Sequence, residues 1–274
     1  MNAKLVKELR DKTNAGMMDC KKALQESSGD LEQAVQILRK KGIAKAEKKS
    51  QRDTHEGLIS AYIAPDESKG ALVEINCETD FVARNETFVG LTQKVGELIS
   101  NGDLSAFDDQ GGLKEDSDLF AAATAMTKEA VPTLGENLTF IRATRFDLSG
   151  AGSVGAYIHL GGKIGVLAQI NGSHDDVGSI VKEISIHIAA AQPSFLTRDE
   201  VPEEVLQQER EVVIAQSANK PQQIVDKIVL GKLEKYYSEV CLLEQSFVKD
   251  PDVKIKDLLG DLSIVRFVRF QLGG

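Results

Sequence analysis

Apolar residues recur at helical spacing from the start of the chain. Leu5, Val6 and Leu9 form a first stripe, which is broken at Asn14-Ala15-Gly16. Met17, Met18, Ala23 and Leu24 supply the apolar side of a second helix that ends near Ser27-Ser28-Gly29. Asp30, with Gln33 at capping-box spacing, predicts the start of a third helix. Leu31, Ala34, Val35 and Leu38 carry that helix, and Gly42 is expected to stop it. Residues 3–41 therefore read as a small bundle of three helices. Met17 and Met18 point about 100° apart on a helix, so both cannot occupy the centre of one small core. Either one is core and the other a surface residue, or the pair forms a soft contact patch for a partner.

Further on, the pattern becomes one of strands and repeats itself. Residues 57–76 read GLISAYIAPDESKGALVEIN and residues 152–171 read GSVGAYIHLGGKIGVLAQIN. Without a gap, Ala61-Tyr62-Ile63 meets Ala156-Tyr157-Ile158, and Ile75-Asn76 meets Ile170-Asn171. Each copy is two strand-like runs around a turn, Pro65-Asp66 in one and Gly161-Gly162 in the other, which predicts a β-hairpin. A helical pattern follows each, through Phe88, Leu91, Val95 and Leu98, and through Val177, Ile180, Val181, Ile184 and Ile188. Two related α+β subdomains descended from a duplication are inferred.

The remaining elements fit around this repeat. Residues 114–131 read as helix and Leu138–Leu148 as strand. Residues 202–217 and 221–238 read as two helices joined at Ala218-Asn219-Lys220-Pro221. Val205, Val212 and Val213 mark one stripe, and Ile224, Val225, Ile228 and Val229 the other; such a hairpin serves packing or oligomerisation. Residues 262–272 give a last strand suited to completing the second sheet. The expected fold is α+β with antiparallel sheets. It divides into a helical module and basic linker (1–52), a first core subdomain (53–148), a second (149–198 with 239–274) and a helical-hairpin insertion (199–238).

One stretch resists this scheme. Thr79-Asp80-Phe81-Val82 comes after the first hairpin and is read as a loop. Free loops favour small polar residues, so a large apolar Phe81 calls for an explanation. Aligning the helices that succeed the two hairpins gives the first copy roughly seven extra residues, covering Thr79–Asn85. The shared architecture does not demand them.

Charge separates the head of the chain from its body. The 274 residues carry a formal charge of −9, which argues against a nucleic-acid partner. Residues 1–52 hold 13 Lys and Arg against 7 Asp and Glu, so they carry +6 and the rest −15. The run RKKGIAKAEKKSQR from Arg39 to Arg52 has seven basic residues but no aromatic among them, and reads as a solvated helical linker. Cys20, Cys77 and Cys241 are odd in number and far apart, as expected of reduced, packed thiols. The first residues lack the apolar run of a signal peptide, and no segment approaches a membrane span, so a cytoplasmic protein without a membrane partner is expected.

Tempting motifs fail on context. Gly150-Ala151-Gly152-Ser153-Val154-Gly155 matches a dinucleotide fingerprint, but Ala156-Tyr157-Ile158-His159 comes next and reads as strand rather than helix. Gly162-Lys163 lacks the glycine and the Ser or Thr of a phosphate loop. His55, His159, His174 and His187 have no metal spacing; His187 reads as a core residue and His159 as one near an exposed turn. No catalytic residue, metal or cofactor is expected.

Against this background the chain closely resembles the bacterial elongation factor Ts family along essentially its whole length. The resemblance rests on Leu5-Val6-Lys7-Glu8-Leu9-Arg10 and on Thr13-x-Ala15-Gly16-Met17-Met18-Asp19-Cys20-Lys21-Lys22-Ala23-Leu24. It rests equally on Thr79-Asp80-Phe81-Val82-Ala83-Arg84, and on Tyr157-Ile158-His159 with Gly161-Gly162-Lys163-Ile164-Gly165-Val166-Leu167. It implies a translation factor that binds elongation factor Tu, GDP-bound or nucleotide-free, and promotes GDP release without covalent chemistry. It implies a ubiquitin-associated-like N-terminal module, a two-subdomain core and a dimerisation hairpin, hence a homodimer or a dimer of heterodimers through 199–238. Thr79, Asp80, Phe81 and Val82 match the loop that disturbs the Mg²⁺ and phosphate site, with Phe81 as a wedge. Met17 and Met18 match an N-terminal contact, and His159, Gly161, Gly162, Lys163 and Ile164 a contact of the second subdomain. Family members commonly continue into a C-terminal helix; this sequence stops at Leu272-Gly273-Gly274, which puts that contact in question. Two other readings predict different behaviour. An enzyme using residues 150–155 binds GDP or NAD by itself, and an adaptor carries its activity in residues 1–52 alone.

Overall fold

The computed structural model describes residues 3–13, 15–217 and 221–274, without the side chains of 43–45, 47 and 48. Asn14 and the expected connector at 218–220 thus lie outside the described residues. Helices α1 (Ala3–Thr13), α2 (Met17–Glu26) and α3 (Leu31–Lys49) pack around Leu9, Cys20, Ala23, Leu24 and Ala34. Asp30 caps α3 as expected, its Oδ1 accepting the Gln33 N–H at 2.9 Å.

One alternative for this region falls away and one expectation, the stop at Gly42, is corrected. Cys20, Ala23 and Leu24 complete the buried face of α2 at i, i+3 and i+4, so neither methionine is core. Met17 and Met18 open the helix with 58% and 62% of their surface exposed. Gly42 does not end α3. A Cβ there would lie 3.0 Å from Pro132 Cγ, so glycine allows the helix to pass close to the body of the protein. The basic run is helical to Lys49, and Arg39, Lys40, Lys41 and Arg52 are exposed to solvent as expected, but the helix also packs on the body. Ala46 joins a core cluster, Arg39 pairs with Glu129 at 3.3 Å, and Lys49 donates to the Gly135 carbonyl.

The first half of the body contains β1 (Glu56–Ile63), β2 (Lys69–Cys77), α4 (Asp80–Ala83), α5 (Glu86–Ser100), α6 (Asp118–Glu129), α7 (Val131–Leu134) and β3 (Leu138–Asp147). Its antiparallel sheet runs β1-β2-β3. The second half contains β4 (Gly152–Ile158), β5 (Ile164–Asn171), α8 (Val177–Ala191), α9 (Glu203–Gln216), α10 (Gln222–Val240), β6 (Ser246–Phe247), β7 (Asp250–Lys254), α11 (Ile255–Leu259) and β8 (Ser263–Gln271). Its antiparallel sheet runs β4-β5-β8, so the last strand completes it as anticipated. The segment from β6 to α11 carried no clear pattern in the sequence. In α9 and α10 the buried positions are Leu206, Val213, Val225 and Leu233, whereas Val212 and Ile224, expected in the stripes, are exposed. Among the described residues no helix is long and apolar enough to cross a membrane.

The repeat is reproduced bond for bond with a shift of 95 residues. Gly57 pairs with Asn76, and Gly152 with Asn171. Their φ angles are 153° and 154°, and a Cβ would fall 2.3 Å from the Ile75 oxygen in one and 2.1 Å from the Ile170 oxygen in the other. Both ladders to the third strand slip at the corresponding point, Glu74/Ile75 and Gln169/Ile170.

Each sheet is apolar on both faces because each is covered on both. Phe88, Val95 and Ile99 of α5 bury against Val73 and Ile75, and Val181, Ile184 and Ile188 of α8 against Val166 and Ile170. Between the sheets, Ile59, Leu72 and Phe146 meet Val154, Leu167 and Phe270. Two exchanged pairs lock this middle layer. Ile59 N–H donates to the Gly162 carbonyl at 2.7 Å, and Val154 N–H to the Glu67 carbonyl at 2.9 Å. The Arg142 guanidinium lies 4.3 Å over Phe270, and that of Arg266 4.3 Å over Phe146.

Candidate functional site

The stretch singled out in the sequence as a loop is a single turn of helix, α4. Thr79, with extended backbone (φ −132°, ψ 155°), is its N-cap, and its Oγ1 accepts the Val82 N–H at 3.4 Å. Four residues cannot sustain a helix alone, because nucleation costs more than one turn returns. Neighbours therefore hold this one. Ala83 is buried and Val82 packs on the core of the first half. Asn85 accepts the Thr87 N–H at 2.8 Å and starts α5 immediately afterwards.

With residues 82 and 83 turned inward, Phe81 is turned outward and is 82% exposed. Asp80 is half-buried beside it and pairs with Arg84 at 2.9 Å. The first half has the longer connection, as the repeat suggested. From the matched Asn76 and Asn171 to the next helix, the first half uses residues 77–85 and the second 172–176, nine against five. Counted to the start of α5 and of α8, the excess is four residues, and the turn of α4 lies within the longer connection.

Two features of this site escaped sequence reading. Glu136, from the turn between α7 and β3, aims its carboxylate at the entry to α4. Its Oε2 accepts the N–H groups of Glu78 and Thr79 at 3.1 and 3.0 Å, and its Oε1 accepts the Thr79 hydroxyl at 2.6 Å. Nothing local in the sequence marks a residue 57 positions away as a partner of Thr79. Beneath it Cys77 is fully buried, and burial, aided by the Glu136 charge, pushes its thiol up to about 12. The thiol donates to the Thr79 carbonyl at 3.2 Å and is structural rather than reactive.

The β4–β5 turn divides its expected residues between surface and interior. His159 and Gly161 are exposed, and Tyr157 Oη lies 3.1 Å from His159 Nδ1. Gly162 is buried with φ 67°, and a Cβ there would sit 2.5 Å from Leu58 Cδ2. Lys163 pairs with Glu56, and Ile164 packs into the second core. Leu160, 90% exposed, is the residue passed over in the sequence; its position in a turn rather than a periodic element hid it.

Met17 and Met18, Phe81, and the 159–161 turn thus stand on three separate elements. α4 packs beside β1, and the 159–162 turn binds β1 through Ile59. His187, in contrast, is fully buried, as the sequence suggested. It lies between the Gln245 side chain at 2.9 Å and the Val248 N–H at 3.3 Å. The glycine-rich residues 150–155 run into strand β4 and open no helix, which removes the dinucleotide reading.

Comparison with known proteins agrees with this architecture. A family model described as elongation factor Ts matches residues 78–274. Proteins named elongation factor Ts from Halothermothrix orenii and Clostridium perfringens are 45% and 44% identical over all of this chain and over 92% and 93% of their own lengths. The one from Aquifex aeolicus is 42% identical over 98% of this chain and 97% of its own. The chain belongs to the elongation factor Ts family, a family of translation elongation factors.

Proposed function

We propose that this protein is the guanine-nucleotide exchange factor of elongation factor Tu, binding the GDP form and speeding GDP release so that GTP can enter. The observation that carries this reading is the display of Phe81. A side chain whose burial contributes about 1.5–3 kcal/mol is held in water on a turn fixed on its other side to the core. A rigid exposed aromatic of this kind is a usual interface hot spot. No bond chemistry is needed. An exchange factor weakens nucleotide binding by the factor by which nucleotide weakens its own binding. A bound Mg²⁺ demands nearly ideal oxygen geometry, so a Phe side chain inserted near its site is an economical means to that end.

In this reading Thr79, Asp80, Phe81 and Val82 form the displacing element. Met17 and Met18 supply an adaptable second contact, and the turn from His159 to Ile164 a third. The division into residues 1–52, 53–148, 149–198 with 239–274, and 199–238 belongs to the same proposal, as does action in the cytoplasm. Exposed Val212, Ile214, Ile224 and Leu230 support self-association through α9 and α10.

The test is release of fluorescent GDP from elongation factor Tu with wild type, Phe81→Ala and Asp80→Ala. Strong acceleration by wild type and a loss of about 10- to 100-fold in Phe81→Ala, with unchanged circular dichroism, are expected. Equal rates for wild type and Phe81→Ala would falsify the wedge.

A further inference from the structure

Glu136 has a task that its own neighbourhood does not explain. α7 ends at Gly135, whose left-handed backbone (φ 81°) reverses the chain and delivers Glu136 to the start of α4. A half-buried carboxylate there takes three donors, two of them backbone N–H groups immediately before the first helical residue. Its bond to the Thr79 hydroxyl also fixes the side chain that caps α4. The next residue ties the same turn elsewhere. Asn137 donates its backbone N–H to Glu78 Oε1 at 2.6 Å and its side-chain amide to the Arg52 carbonyl at 2.8 Å. Arg52 in turn pairs with Glu78 at 3.4 Å. The entry to α4 is therefore anchored to a turn 57 residues away as well as to the Cys77 thiol at the end of its own strand.

We propose that Glu136 is a positioning residue: by clamping Glu78 and Thr79 it sets the direction from which α4 presents Phe81. This rests on the exchange-factor reading. A charge-assisted bond is roughly twice as strong as a neutral one, and three converge here. Removing them leaves a one-turn helix whose N-cap residue and the residue before it have lost the acceptor of their N–H groups, with Phe81 as its outermost side chain.

The experiment measures GDP release from elongation factor Tu against concentration of wild type, Glu136→Ala, Glu136→Gln, Phe81→Ala and the Glu136→Ala/Phe81→Ala double variant. Amide hydrogen exchange is followed in the same proteins. Glu136→Ala is expected to lower the maximal release rate about 10- to 100-fold, with a smaller change in the half-saturating concentration. Glu136→Gln, which keeps one acceptor oxygen and the shape, recovers part of that loss. In the Phe81→Ala background Glu136→Ala adds no more than about 2-fold, because the two act through one side chain. Amides 78–82 exchange faster in both Glu136 variants while those of α5 stay protected.

Equal losses in the two backgrounds, or unchanged exchange at 78–82 in Glu136→Gln, overturn the proposal. Should Glu136→Ala fail to fold, Glu136→Gln, measured alone and combined with Phe81→Ala, decides by the same two readouts. Should wild type leave GDP release unaffected, the exchange-factor reading fails by itself, and faster exchange at 78–82 still decides whether Glu136 clamps α4.

Discussion

After β2 the chain makes the turn of α4 and carries Phe81 into solvent. After β5, at the matching place, it crosses in Gly172–Asp176, a short polar connection without a helix. At the hairpin turns the asymmetry is reversed. The second half exposes His159 and Leu160, whereas the first half puts Ala64 and Pro65 at those positions and buries Ala64. Positions that the halves share, such as Gly57 and Gly152 or Phe146 and Phe270, face inward and build the layers. Phe81, His159 and Leu160, which have no like residue in the other half, face outward. The repeat supplies a scaffold, and two of the features proposed here for recognition, Phe81 and the turn at His159, lie where the copies differ.

The comparison can be broken most forcefully at the matched ladder slips. Glu74 is 1% exposed and pairs with Arg142 at 2.8 Å, while its counterpart Gln169 accepts from Arg266 at 2.9 Å. Arg142→Ala should cost about 3–5 kcal/mol in urea unfolding, because it strands a buried charge. Arg266→Ala should cost about 1–3 kcal/mol, because it strands only an amide. Equal costs would show that the cation–aromatic stacking, identical in both, outweighs the difference in charge.

Next come the matched glycines. Gly57→Ala and Gly152→Ala should each cost about 1–3 kcal/mol, since both carry positive φ and meet a carbonyl oxygen. A clear disparity in thermal midpoints would mean that one half relaxes more easily than its copy.

His187 distinguishes the halves by pH, as α5 contains no histidine. Burial holds the His187 pKa below its ordinary value of 6.5. Below about pH 6.5 the unfolded chain binds a proton that the folded chain does not, so stability falls as pH falls, by at most about 1.4 kcal/mol per pH unit. Urea midpoints between pH 7 and 5 should fall less steeply in His187→Gln than in wild type.

The smallest effects on folding belong to the unshared positions. Phe81→Ala and Leu160→Ala should each change stability by no more than about 0.5 kcal/mol. For Phe81→Ala that small change accompanies the large loss in exchange, and a drop of several degrees in melting temperature would show that its ring is part of the fold after all.

The range of the forces involved decides how much the sequence disclosed. The hairpins and helices were legible because alternation and 3.6-residue periodicity are local consequences of burial, and the repeat stated them twice. Phe81 was legible because it violated that pattern. Gly42, Glu136 and the packing of the basic run were not, because each is defined by a neighbour far along the chain: Pro132, Thr79 and Glu129. The methionines of α2 left two readings open because hydrophobicity alone cannot say which apolar residue a three-helix bundle has room for. Cys20 took the place inside.

The exchanged hydrogen bonds of the two hairpins bear on a different hazard. β1 and β4 are edge strands, and an open edge is a template for pairing with another molecule. At Ile59 and at Val154 the outward N–H is taken by the turn of the opposite hairpin. Each half thus obstructs strand addition at one edge of the other. Separation of the halves would uncover both edges at once, making the interface between the sheets a guard against aggregation as well as a source of stability.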